Sequence, residues 1–164
     1  MTYNVTDTVV GTQQIAVNST VQNHPLGTIV RAVDPTFGGG EFVYLKGVAS
    51  TVVGSIVNYD DTWQTALDTA AVAGPSRPLA VAMSACVASE YGWYQISGMA
   101  TAVKADTVSF ADGAGLGSAS GLAVAVVTGT VLQGAVVRTV ASAKSGVTAV
   151  KIAINRPHGP SDVS

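Results

Sequence analysis

Two aromatic, glycine-punctuated segments constrain the fold of this chain more than anything else in it: GGGEFVYLK at 38–46 and YGWYQISGMA at 91–100. In the first, Glu41, Val43 and Leu45 alternate with Phe42, Tyr44 and Lys46, the two-residue period of a strand. One face of that strand is mainly aliphatic and the other aromatic. Aromatic and β-branched side chains suit a half-buried pleated surface, and glycine supplies the backbone conformations that turns need. Both segments predict strands fed by turns, with Gly38-Gly39-Gly40 as a flexible hairpin turn.

The same grammar runs through the rest of the chain. Short apolar segments at 27–33, 54–59, 79–83, 93–104, 107–110, 122–127, 131–142 and 147–155 are each bounded by turn chemistry. Residues 63–71 read as a strand or one helical turn, and no stretch sustains a long helical stripe. This spacing predicts an all-β fold, an antiparallel β-sandwich or jelly-roll-like barrel, over residues 27–155. Residues 1–26, rich in Thr, Val, Asn and Gln, read as an extended N-terminal arm. Residues 156–164 read as a C-terminal tail, because Pro157 and Pro160 cannot donate to a ladder.

At 164 residues the chain suits one domain with terminal arms. Charged residues make up 11% of it, against roughly 25% in ordinary soluble proteins. Much of its surface must then be apolar or hydroxylated, and such a surface usually meets a partner. The net charge of -2 is spread without a run of either sign, which argues against nucleic acid and against an anionic membrane. The uncharged span 113–137 is interrupted by six glycines and several hydroxyls, so it reads as a hairpin and not a membrane helix. The first basic residue is Arg31, which leaves no secretory signal at the N-terminus and predicts synthesis in the cytoplasm.

No catalytic pattern emerges. Gly38-Gly39-Gly40 lacks the Lys-Ser or Lys-Thr of a phosphate loop and is followed by Glu41, which repels an anion. Gly113, Gly115 and Gly117 miss the dinucleotide fingerprint because Ser118 stands in the place of its third glycine. The two histidines, His24 and His158, lie beside prolines in loop-like sequence, and Asp60-Asp61 is a turn pair. Cys86, the one cysteine, sits among small apolar residues as a buried hydrophobe. The reading is therefore no enzyme, no cofactor, no metal site and no small-molecule substrate.

What remains is the aromatic distribution: eight of the ten aromatic residues fall between 37 and 94. Phe42, Tyr44 and Trp93 are expected to anchor the core. Phe37, Tyr44, Trp63, Tyr91, Tyr94 and Met99 are the candidate interface residues, since Tyr, Trp and Met are favoured at protein contacts. Trp63, Trp93 or Tyr94 stacking on a sugar ring is the alternative.

Residues 38–48 (GGGEFVYLKGV), 81–85 (VAMSA), 91–98 (YGWYQISG) and 155–157 (NRP) together resemble the capsid decoration, or cement, proteins of tailed bacteriophages. That resemblance spans roughly 27–157 and rests on strand and turn patterns. It implies a non-enzymatic virion protein on the capsid exterior, often a jelly roll, that forms homo-oligomers such as dimers or trimers. Its implied partner is the major capsid protein of an HK97-like shell, whose subunits it would bridge. A tail, collar or fibre module is the other structural placement.

Overall fold

A computed structural model describes residues 4–5, 11–69, 76–106, 108–127, 129–139 and 148–160. These contain eleven strands and no helix: β1 (Asn4–Val5), β2 (Ile29–Asp34), β3 (Gly38–Lys46), β4 (Ile56–Tyr59), β5 (Thr65–Leu67), β6 (Leu79–Ala82), β7 (Tyr91–Val103), β8 (Gly117–Ala119), β9 (Leu122–Val124), β10 (Gln133–Val137) and β11 (Ala149–His158). The main sheet runs β1-β2-β3-β7-β6-β4-β5, with β11 also on β7 and β10 on β11, while β8 and β9 form a separate hairpin. Every ladder is antiparallel. The all-β, antiparallel class read from the sequence is the class observed, and it is consistent with a β-sandwich. A jelly-roll path finds no support in this strand order.

The far end of the sheet returns to its middle. Lys46 at the end of β3 bridges Gln64 in parallel, and its N–H donates to the Trp63 carbonyl at 3.1 Å. Thr65 Oγ1 donates to the Lys46 carbonyl at 2.9 Å and Gln64 Nε2 to that of Gly47 at 2.9 Å. Strands β3, β7, β6, β4 and β5 thereby close a small barrel, which leaves β5 no open edge where it meets β3.

Three apolar clusters follow from the two-residue period. The barrel interior takes Val43 and Leu45 from β3, Val57 from β4, Ala80 and Ala82 from β6, and Tyr94 and Ile96 from β7. On the other side of the β3 and β7 wall, Phe42, Tyr44 and Trp93 join Ile15, Val30, Ala32 and Met83. The third cluster sets Leu79 and Val81 against Ala100, Ala102, Ile152 and Ile154, and is covered by Phe110, Leu116, Ala123 and Leu132. Strand β6 is buried at all four positions, so it reads as a continuous apolar run without alternation. Strand β7 contributes to all three clusters and is the spine of the fold.

Four sequence expectations are revised. Gly38-Gly39-Gly40 is not the hairpin turn: it is the start of β3, paired with Asp34, Val33 and Ala32. The turn lies at 35–37, where Asp34 Oδ1 accepts the N–H groups of Thr36 at 2.7 Å and Phe37 at 2.9 Å. Within 1–26, residues 11–26 do not extend away; they fold across the aromatic face, with Ser19 bridged to Tyr91 and the Gln13 carbonyl accepting the Trp93 indole N–H at 3.0 Å. Arg156, Pro157 and His158 continue β11 instead of opening a tail. A register shift opposite Gly134 lets Pro157, which has no N–H, sit in the irregular part of that ladder. Residues 108–110 form no strand, yet Phe110 is buried in the third cluster; Thr107 lies outside the described residues.

Candidate functional site

The six candidate interface residues divide by burial. Tyr44 and Tyr94 are each 0% exposed and offer a partner no surface. Tyr44 is held from inside: its hydroxyl donates to Gln13 Oε1 at 3.1 Å and accepts the Asn23 N–H at 3.3 Å, and its ring meets His24 edge-on at 5.1 Å. Tyr94 lies in the barrel with its hydroxyl 3.5 Å from the Cys86 carbonyl, and burial pushes its phenol far above the usual range. Tyr91 is half-buried and stacks on Tyr44 at 6.5 Å, while Met99 is half-buried on β7 opposite Ala153. Phe37 is half-buried beneath Lys151, whose Nζ lies 5.0 Å from the ring centroid.

Trp63 alone of the six keeps a large exposed face, at 36%. The turn before it is built by Asp60 Oδ1, which accepts the Thr62 N–H and hydroxyl at 2.9 and 2.7 Å and the Gln64 N–H at 3.1 Å. The Thr62 hydroxyl and these N–H groups hold the Asp60 carboxyl below its ordinary range. Trp63 leaves this turn with φ of 62° and stacks on Tyr59 at 5.9 Å. Its indole also lies against the backbone of Gly27, where a Cβ would stand 2.5 Å from the ring. Of the three side chains considered for sugar stacking, Trp93 and Tyr94 are fully buried and Trp63 is the one left at the surface.

Ser76 Oγ lies 3.2 Å from His158 Nδ1, but that hydroxyl donates to the Gly159 carbonyl at 2.9 Å. His158 Nδ1 also approaches the Gly159 oxygen at 3.0 Å, a hydrogen bond only when Nδ1 carries the proton. The Ser76 hydroxyl proton is thus directed at the Gly159 carbonyl and not at His158 Nδ1. Cys86 is buried and unpaired, and burial pushes its thiol up, away from the thiolate that reactivity requires. Among the described residues no three of His, Cys, Asp and Glu gather at a metal-binding spacing.

One polar concavity does bring distant residues together. It is a groove of about 500 Å³ lined by Arg31 and Val33 of β2, Gly39, Gly40 and Glu41 of β3, Ser97 of β7, and Asn155 and Arg156 of β11. Glu41 accepts from both sides: Arg156 Nη2 reaches Oε2 at 2.9 Å and Arg31 Nη2 reaches Oε1 at 3.3 Å. In the sequence Glu41 stands out only as the acid that follows the three glycines and repels an anion, and neither arginine is marked as its partner. The Glu41 and Arg156 partners are 115 positions apart, and no local pattern links them.

No protein-family profile, curated protein or solved structure matches the chain.

Proposed function

We propose that this chain is a non-enzymatic structural protein of a virus particle, binding the outer surface of an assembled capsid and bridging its subunits. The observation that carries the reading is the chemistry of the surface. On a chain with 11% charged residues, Val17, Val21, Ile29, Val33, Val52, Val53, Val87, Val126, Val127 and Val131 are all exposed. Single exposed valines are ordinary, but Val126, Val127 and Val131 are three exposed within a short stretch of sequence. Beside them, Thr130 Oγ1 accepts the Val127 N–H at 2.9 Å and donates to the Val127 carbonyl at 2.7 Å. The resemblance of 38–48, 81–85, 91–98 and 155–157 to decoration proteins supports the same placement.

Such a protein acts by mass action. Binding the assembled lattice and not the dispersed subunits shifts the equilibrium toward the intact shell. A homo-oligomer, a dimer or trimer, would multiply each weak contact through effective concentration. Copy number tests this reading. Quantitative mass spectrometry of purified particles is expected to place the chain near the abundance of the major shell protein. A few copies per particle would move it to the tail or collar.

A further inference from the structure

We propose that residues 11–24 form an acid-released strap, latched over the aromatic face by a His24 ring that holds it only while uncharged. The inference does not depend on the virion reading. Its basis is the direction of one hydrogen bond: the Gln13 backbone N–H donates to His24 Nε2 at 3.1 Å. An imidazole nitrogen that accepts carries no proton, so the ring is neutral and its one proton sits on Nδ1. Uptake of a second proton fills Nε2 and sets a donor against a donor.

Gln13 is where that loss is felt. Its carbonyl accepts the Trp93 indole N–H at 3.0 Å, its Oε1 accepts the Tyr44 hydroxyl at 3.1 Å and Asn23 Nδ2 at 2.8 Å, and its Nε2 donates to the Tyr91 carbonyl at 3.4 Å. One residue thus ties the strap to β3, to β7 and to its own return limb, and His24 holds that residue's backbone. The ring is 9% exposed, so water has little room to supply the missing acceptor. Ser19 stays paired with Tyr91 at 2.8 and 2.9 Å, which tethers a strap released at Gln13. Release uncovers Tyr44 and Trp93.

The surroundings do not compensate a charged ring. Among the described residues it joins no ion pair. From β3 it meets Tyr44 edge-on at 5.1 Å, and from β7 it meets Trp93 at 5.3 Å. The titratable groups that act on Tyr44 in turn are Tyr91 and Cys86. Burial pushes the Tyr44 phenol and the Cys86 thiol up, which keeps both neutral. The Glu90 carboxylate, just before β7, accepts from Asn18 Nδ2 and the Val87 N–H. The strap itself brings Gln13, Gln22 and Asn23, none of which ionises. Aromatic rings attract a cation, but neither Tyr44 nor Trp93 restores the acceptor that Gln13 loses. The closed strap binds the neutral ring, so it holds above the histidine range and loosens as pH falls through that range.

The test is hydrogen exchange of the full ¹⁵N-labelled chain at about pH 8 and about pH 5.5, a window in which histidine is the side chain that ordinarily changes charge. Each rate is corrected for the intrinsic pH dependence of exchange. The Gln13 amide and the Trp93 indole proton are expected to lose about tenfold in protection at the lower pH, the effect of removing one hydrogen bond. His24→Gln, whose side-chain oxygen can accept without titrating, should keep protection equal at both values. His158→Gln should behave as the unaltered chain. The imidazole nitrogen shifts of the unaltered chain report even if His24→Gln does not fold: at the higher pH His24 should be the Nδ1–H tautomer. Unchanged protection across the window, the same loss in His24→Gln, its disappearance in His158→Gln, or an Nε2–H tautomer at the higher pH would each overturn the proposal.

Discussion

Replacing Trp93 with alanine is expected to lower the unfolding free energy by about 3–5 kcal/mol, the usual cost of deleting a fully buried large aromatic. In a chain of this size that corresponds to a fall in Tm of roughly 10 °C. The indole is 0% exposed, packs on Tyr44 at 4.9 Å and on His24 at 5.3 Å, and donates to the Gln13 carbonyl. Its loss removes packing from the aromatic cluster and also one anchor of the segment over it. Trp93→Phe separates the two effects: it keeps most of the ring and leaves the Gln13 carbonyl unpartnered, for about 1–3 kcal/mol. Limited proteolysis should show faster cleavage within 11–26 in both variants. A loss below 1 kcal/mol in chemical unfolding of the alanine variant would mean that this cluster does not hold the face together.

Gly98→Ala is expected to be comparably severe, for a different reason. Gly98 has φ of 102°, and a Cβ there would stand 2.4 Å from the Gly39 carbonyl oxygen and 3.1 Å from the Gly40 Cα. The backbone strain alone costs about 1–3 kcal/mol, and the clash is with a paired strand that cannot step aside without breaking its ladder. Gln95 holds the same bend from beneath, its Nε2 donating to the Ser97 and Met99 carbonyls at 3.1 and 3.0 Å. The control is Gly39→Ala, where the surrounding space is open. Urea unfolding should separate the pair by at least about 2 kcal/mol. Equal stability of the two variants would refute the close crossing of β3 and β7.

That crossing explains which parts of the fold were legible in the sequence. The alternation from Glu41 to Lys46 correctly divides Val43 and Leu45 from Phe42 and Tyr44, because face assignment depends only on the two-residue period. It could not reveal that both faces are buried, which depends on what packs against each. Three consecutive glycines carry the local signature of a turn, but at 38–40 they answer a distant demand: Gly40 has Gln95 Nε2 and the Ser97 carbonyl within about 3 Å of a Cβ position. Pro157 likewise signals a strand end in isolation, and only the shifted register opposite Gly134 accommodates it. The closure of the barrel through Lys46 and Gln64, and the meeting of Arg31, Glu41 and Arg156, are products of topology.

The candidate contacts show the same division. Aromatic composition pointed to Tyr44 and Tyr94 as readily as to Trp63, although the first two are fully buried and only Trp63 shows a large face. Burial of a tyrosine depends on whether its hydroxyl finds partners inside, as Tyr44 does with Gln13 and Asn23. No residue type announces that in advance.

The most direct test of the assembly role is a cryo-electron microscopy map of the intact particle that contains this chain. The expected result is density for the all-β fold on the outer surface of the shell, repeated over the lattice and touching at least two neighbouring capsid subunits, with the exposed Val126, Val127 and Val131 at a contact. Density confined to the tail or to the interior, or a shell surface bare of this fold, would contradict it.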